Sequence, residues 1–338
     1  MSIDWTSSGG GWGSVTPSVA WREQPAPLQR YALNGPTMGT RYAAVFFAPA
    51  GLDTAPVAEA LQAAVDAVDR QMSTWKPDSD LCRFNRAAPG QWIALPDELL
   101  AVIAAALEVE RQSAGAFDAG VADAVDAWGF GPAGAAPDKA RIAALAARPR
   151  QRTADCVEFD RAAGRARKHA PVSLDLSGIA KGFGVDQLAL CLRQFGIGRS
   201  LVSIDGEIRA GGPKPDGAPW AVAVERPDRR VRDAAGVIDL VDRAIATSGD
   251  YRHWREVDGA TVSHTMDPRT GRPLANRLAS VSVMMEDCMR ADAWATALMV
   301  LGEVDGPALA AQRGIDALFM VRDGDELREI GVGAFQAG

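Results

Sequence analysis

The feature that most constrains this chain is that its extended segments come in neighbouring pairs, with helical stretches inserted between the pairs. Residues 31–49 read as two strands about a turn at Asn34-Gly35-Pro36, and 156–170 as a hairpin about Ala163-Gly164. Residues 201–212, 220–227, the run up to 254, and 277–286 follow as strands, and 315–330 closes the chain as a last hairpin. Parallel strands need a crossover between each pair, whereas antiparallel ones need only a turn. The pattern therefore predicts an α+β fold with mixed or antiparallel sheets and inserted helices, not a regular βαβ array.

The inserted helices are legible from their apolar spacing. One starts near Pro56 and carries Val57, Leu61, Val65, Val68 and Met72 on one face. Another opens on Pro96-Asp97-Glu98 and buries Leu99, Ile103 and Leu107. A third, Ala/Arg-rich, spans 137–147 at the periphery, and a fourth runs from 291 to Gly302. Between the first two, residues 72–85 read as a polar loop around Trp75; before the last strand run, 260–274 read as a turn-rich loop around His264, Asp267 and Pro268.

Residues 173–197 carry the densest chemical signal. An apolar run holding Asp175 leads into Ser177-Gly178, then into a helix through Lys181, Val185, Leu188 and Leu192 that Gly196 closes. Small residues at a helix entry admit a ligand close to the backbone. Free N–H groups and the positive end of the helix dipole favour phosphate there. Lys181 would add a full charge. The alternative is an ordinary strand-to-helix turn with a surface lysine.

Further along, Asp292 and Thr296 stand four residues apart, on one helical face. A carboxylate and a hydroxyl so placed suit Mg²⁺, which completes its shell with water and phosphate oxygen. They equally suit a helix-dipole acid with a packed threonine. His264 can accept a proton near neutral pH or simply bond backbone, whereas His169 and His253 read as surface positions. Trp75, in the Ser73-Thr74-Trp75 turn, offers a face for stacking a base or flavin ring, or a packing lid. Phe117 and Asp118 in the GAFD turn, and the polar turn at 247–251, are weaker candidates.

The rest of the composition narrows the class. The 338 residues are 47% hydrophobic, enough for one large domain or two lobes, and net charge is −7. With no basic run, nucleic acid is not an expected partner. Cys82, Cys156, Cys191 and Cys288 show no metal-ligand spacing and read as free thiols of a reducing compartment. Residues 1–27 are Gly/Ser/Trp-rich with no apolar core, twin arginine or lipobox cysteine. They read as a flexible leader before a single domain over 28–338, and the expected location is cytoplasmic with no membrane anchor.

In their joint order, the blocks MGT (38–40), MSTW…SDLCRFN, GAFDAG…WGFG, DLSGIAKGFGVD, DGEIRAGG, TSGDY, HTMDPRTGRP and ADAWATAL resemble the FAD:protein FMN transferase (ApbE) family across about residues 33–321. The resemblance implies two closely packed lobes around a central FAD cleft. It also implies transfer of the FMN half of FAD to a threonine (or serine) hydroxyl of a target flavoprotein, releasing AMP. On this chain it assigns Mg²⁺, with Mn²⁺ as a substitute, to Asp292, Thr296 and the backbone of Ala180 and Ala295. FAD falls to Met38, Trp75, Ala116, Phe117, Asp118, Ser177, Lys181, Phe183 and Thr265. His264 matches the histidine that activates the acceptor hydroxyl. Asp267 is a further candidate base, with Lys181 aiding charge neutralisation.

The chain departs from the family's usual Gly-Gly-acid at Asp205-Gly206-Glu207, and Trp75 replaces a tyrosine. Two other functions share these residues: an FAD pyrophosphatase that uses water as acceptor, and a flavin-binding protein that leaves FAD intact. The Asp292/Thr296 pair favours the two enzymes.

Overall fold

The computed structural model describes residues 27–338 except 133, 135, 148–149, 229–232, 252–253, 258–259, 325 and 337–338. The expected leader, up to residue 26, and His253 lie outside the described residues.

In chain order the elements are β1 (Leu28–Thr37), β2 (Thr40–Pro49), α1 (Ala55–Met72), α2 (Asp80–Arg86), β3 (Ile93–Ala94), α3 (Asp97–Gln112), α4 (Ala122–Ala127), α5 (Lys139–Ala146) and α6 (Thr153–Cys156). Next come β4 (Val157–Asp160), β5 (Arg165–Lys168), α7 (Ala180–Gln194), β6 (Arg199–Ile204), β7 (Glu207–Gly211), β8 (Trp220–Glu225), β9 (Ala234–Leu240) and β10 (Ala244–Gly249). The rest are β11 (Trp254–Val257), β12 (Ala260–Ser263), β13 (Met266–Asp267), β14 (Arg272–Pro273), β15 (Leu278–Met285), α8 (Cys288–Arg313), β16 (Asp316–Asp323) and β17 (Glu326–Val332).

The frame is an eight-stranded sheet in the order β1-β2-β6-β7-β10-β15-β16-β17. Every neighbouring pair in it is antiparallel, so the fold is α+β as expected and the main sheet is the antiparallel variant. Alternation along β2 shows how the sheet is sandwiched. Tyr42, Ala44 and Phe46 join a core with Val57, Leu61 and Val65 of α1 and Val185, Leu188 and Leu192 of α7. Val45 and Phe47 point to the opposite face, where they meet Trp220, Val222 and Leu240 of the β8–β9 ribbon. A third and larger cluster joins α3 and α8 through Leu99, Ile103, Leu107, Trp294 and Leu298.

Several local expectations are corrected. The first hairpin turns at Met38-Gly39, not at Asn34-Gly35-Pro36, because Thr37 pairs with Thr40 and both turn residues take positive φ (44° and 73°). Such a two-residue turn matches the strand twist, so the register overrides the Asn-Gly-Pro signal. The polar loop after α1 contains α2, capped by the Ser79 side chain accepting from the Cys82 N–H at 3.0 Å and anchored by buried Leu81 and Phe84. The loop expected at 260–274 contains β12 and the short ribbon of β13 and β14.

The helix expected to stop at Gly302 does break there (φ 83°), but a second helical segment continues to Arg313. Asn276 Nδ2 donates to the Met299 carbonyl freed at the break, at 2.8 Å. The apolar run before α7 forms no regular element over 172–176 and passes into a turn at 177–179. As expected, α5 is peripheral and buries none of its side chains.

Candidate functional site

Two glycines fix where α7 meets α8. A Cβ on Gly182 would lie 2.3 Å from the Cys288 carbonyl oxygen and 2.8 Å from Asp292 Cβ, so only glycine lets the helices touch there. A Cβ on Gly178 would come within 3.0 Å of Thr296 Oγ1 and 3.3 Å of the Phe117 ring. The DLSGIAKG turn therefore lies directly against the helical face that carries Asp292 and Thr296. Upstream, the turn is pinned from a distance. Asn85 exchanges two 2.8 Å hydrogen bonds with the backbone of Leu174, and the Asp175 N–H donates to the Ala119 carbonyl at 2.7 Å.

Asp292 is buried, and one of its oxygens accepts the Gly182 N–H at 3.0 Å. The first turn of α7 thus spends one donor on a carboxylate of the same protein, and the Ala180 N–H donates to Leu176 at 2.8 Å. The free donors expected for a phosphate at this turn are to that extent already partnered. Burial, then Glu207, push the Asp292 carboxyl up to about 7, against the pull of Lys181 and the Gly182 N–H. Thr296 Oγ1 lies 3.1 Å from Ser248 Oγ on β10, which makes Ser248 a site neighbour that its polar turn only hinted at.

Lys181 does not project alone. Its ammonium lies 2.9 Å from Glu207 Oε1 and 3.6 Å from Asp205 Oδ2, both at the β6–β7 turn. Burial works against its charge, yet Glu207, Asp292 and Asp205 hold it protonated above an ordinary lysine. Burial pushes the Glu207 carboxyl up, and Lys181 opposes that shift. Glu207 Oε2 has no hydrogen-bond partner. Nothing in the periodicity of β7 distinguishes Glu207 from any strand-end acid, and only the fold shows its role.

The donor set fits a hard divalent cation. Among the described residues no three His, Cys, Asp or Glu side chains converge as a metal-binding group. One carboxylate (Asp292), one hydroxyl (Thr296) and the neighbouring backbone carbonyls of Ala180 and Ala295 are nevertheless oxygen ligands of the kind Mg²⁺ takes alongside phosphate. The buried, unpartnered Glu207 oxygen next to them marks a place where polarity is not yet satisfied.

The other assigned residues fall around this centre unevenly. Met38, at the tip of the first hairpin, reaches α7: a Cβ on Gly184 would lie 2.9 Å from its Cε. Ala116, Phe117 and Phe183 are buried beneath the turn, and Ser177 is exposed on it. Trp75 is 66% exposed, an aromatic face open to a partner. Its neighbour Thr74, with Asn85, Ser173 and Asp175, lines a cavity of about 190 Å³. A larger cavity of about 480 Å³ lies beyond the MDPRTG loop against Asn276 and Gly302. It touches neither Asp292 nor Lys181, so size alone does not pick out the chemistry.

His264 and Thr265 occupy the link between β12 and β13, with the His264 ring edge-on to Phe130 at 6.5 Å. Asp267 is engaged by Arg269 through two hydrogen bonds of 2.9 and 3.0 Å and accepts the Arg269 N–H at 2.9 Å. A carboxylate so occupied organises its turn. Asp118 accepts the Gly120 N–H at 2.7 Å, and burial raises its carboxyl. Behind it, Glu110 is fully buried, and burial together with Asp118 pushes it up to about 7. Glu110 was invisible to the pattern because its helix reads simply as amphipathic.

Comparison with known proteins places this arrangement. A sequence profile of the ApbE family matches residues 38–319. An FAD:protein FMN transferase of Vibrio cholerae serotype O1 is 39% identical over 314 residues, covering 92% of this chain and 93% of the relative. The Escherichia coli K12 protein of the same name is 31% identical over 318 residues, covering 92% and 91%. Among solved structures, the flavin transferase ApbE from Vibrio cholerae superposes with a TM-score of 0.80 at 36% identity, over 91% of this chain and 99% of that one. The apo flavinyl transferase ApbE of Pseudomonas stutzeri gives 0.81 at 35%, over 92% and 98%.

Proposed function

This chain belongs to the ApbE family, and on that premise we propose a Mg²⁺-dependent transfer of FMN from FAD to a threonine (or serine) hydroxyl of a target flavoprotein. It is an FAD:protein FMN transferase. The observation that carries the fuller reading is the meeting of Asp292 and Thr296 with the Gly178–Gly182 turn, from segments 110 residues apart.

In the transfer, the acceptor oxygen forms a bond to the FMN phosphorus as the bond from that phosphorus to the bridging oxygen breaks. AMP leaves with the bridging oxygen. Phosphoryl transfer of this kind is mainly positioning and charge neutralisation. Asp292, Thr296 and the Ala180 and Ala295 carbonyls would hold the cation, Mg²⁺ or Mn²⁺, whose chemistry when bound is to neutralise charge building on the pyrophosphate. The start of α7 orients the pyrophosphate, while Trp75 and Met38 offer aromatic and apolar surface to the rings of FAD and buried Phe117 supports the turn from beneath. His264, in the link between β12 and β13, takes the acceptor proton at an imidazole nitrogen. The four free cysteines support a cytoplasmic setting, and no helix among the described residues is long and apolar enough to cross a membrane.

The test is incubation of the protein with FAD and Mg²⁺, with and without a flavoprotein carrying a candidate acceptor threonine. An FMN mass increment on that threonine together with AMP release is expected. Free FMN as the sole product moves the assignment to a pyrophosphatase. No AMP with either Mg²⁺ or Mn²⁺ overturns both.

A further inference from the structure

The β6–β7 hairpin turns through two residues, because Ile204 pairs with Glu207 and leaves Asp205-Gly206 between them. Asp205 takes φ 54°, whereas Gly206 is not in the left-handed region. The turn therefore places its strained position on aspartate and its glycine where any residue would serve. A glycine at the first position would relieve that strain. Strain of this sort persists where something else depends on the side chain. Another aspartate with positive φ, Asp242, accepts the Gly212 N–H at 2.8 Å, a local reason for its conformation. The carboxylate of Asp205 instead reaches the Lys181 ammonium, 3.6 Å away.

Lys181 has no need of a second counter-ion. Glu207, fully buried at 2.9 Å, already balances it. Asp205 therefore brings surplus negative charge to the first turn of α7. Around that turn stand one ammonium and three carboxylates: Asp205, Glu207 and Asp292. The nearby Asp186 is paired with Arg209 and does not alter this balance. A pyrophosphate arriving without a cation meets a net repulsive field, and one arriving with a divalent cation does not.

We propose that Asp205 is a specificity determinant that makes FAD binding conditional on a divalent cation. It rejects the bare pyrophosphate and admits the cation complex. The inference rests on the flavin-transfer reading of this site and adds to it a gate on substrate form, set by one residue of this chain.

Flavin fluorescence titrations of the full-length protein with FAD, in EDTA and in excess Mg²⁺, test it for wild type, Asp205→Asn and Asp205→Gly. Asparagine tolerates the same backbone conformation while removing the charge, and glycine removes charge and strain together. For wild type, EDTA should weaken FAD binding about tenfold or more, the size of effect a nearby unit charge supports. Both variants should show a smaller ratio of FAD affinity in Mg²⁺ to that in EDTA than wild type, by about threefold or more. Riboflavin, which has no phosphate, should bind all three forms equally. Only the glycine variant should gain in melting temperature, which separates strain relief from the charge effect.

The same EDTA-to-Mg²⁺ ratio in all three forms overturns the assignment of Asp205, as does a variant gain in affinity that extends to riboflavin. Failure of every form to bind FAD in either medium overturns the flavin reading itself and this inference with it.

Discussion

A carboxylate with no solvent, one backbone donor and an acidic neighbour is costly to keep charged, and Asp292 is held in that condition by burial and Glu207. The fold bears that cost at the position where a cation would remove it. Asp292→Asn keeps an acceptor for the Gly182 N–H and removes the charge. It should lower AMP release roughly 100-fold or more while melting no lower than wild type in metal-free buffer at about pH 8. A melting point well below wild type would make Asp292 a structural residue.

Glu110 is a second buried acid, behind Asp118 of the proposed flavin site. Its carboxyl is raised from an ordinary 4.5 to about 7. The native state therefore holds a proton that the unfolded chain releases. That contribution to stability is complete below about pH 4.5 and lost as pH rises through about 7. Glu110→Gln can still accept the Ala154 N–H, which Glu110 Oε2 accepts at 2.7 Å. It should be more stable than wild type at about pH 8 by roughly 1–2 kcal/mol, discounted for the solvated Arg152 beside it. The gain should vanish near pH 5, and chemical denaturation at the two pH values checks it. Neither acid stood out in its sequence pattern as perturbed, because burial is a property of the neighbours.

At the scale of elements, the junction of α7 with α8 decides whether a site exists. Helices that meet through glycine come closer than side chains otherwise permit, and Gly182 lies at that crossing. Gly182→Ala should cost about 1–3 kcal/mol through overpacking against the Cys288 carbonyl. It should also weaken Mg²⁺ stimulation of turnover, because the Asp292 carboxylate must move with its helix. Unchanged denaturant midpoint and Mg²⁺ dependence would count against this contact as the organiser. Helix identity was legible here from apolar spacing and closing glycines. Missing from the pattern was α2, although Ser79 before Leu81 and Phe84 is a capping signal that a polar-loop reading passed over. The first turn was expected at Asn34-Gly35-Pro36 and falls at Met38-Gly39 instead, since Met38 takes a left-handed conformation that propensity alone disfavours.

For the whole molecule, the site gathers residues from Met38 to Thr296 on one side of an antiparallel sheet. A ligand bound there bridges the first hairpin, α7 and α8, so its binding energy should appear as global stability. FAD with Mg²⁺ at about 100 times its dissociation constant should add about 2.7 kcal/mol and raise the melting temperature by a few degrees. EDTA should remove most of that gain, and a melting temperature indifferent to FAD in both media would contradict the shared site. The sequence by itself determined the hairpin-and-helix grammar of an α+β fold, and the paired spacing of Asp292 and Thr296. It also carried the ordered blocks that mark the family. Those are local properties, set by periodicities of two and 3.6 residues and by short motifs. Only the tertiary structure decided that Gly182 donates to Asp292, that Lys181 is shared between Glu207 and Asp205, and that Asp267 is already taken by Arg269. The first two depend on which strands and helices become neighbours, across 110 and 26 residues of chain, and no local pattern encodes that; the third is local to its turn, where only the folded geometry shows the carboxylate engaged.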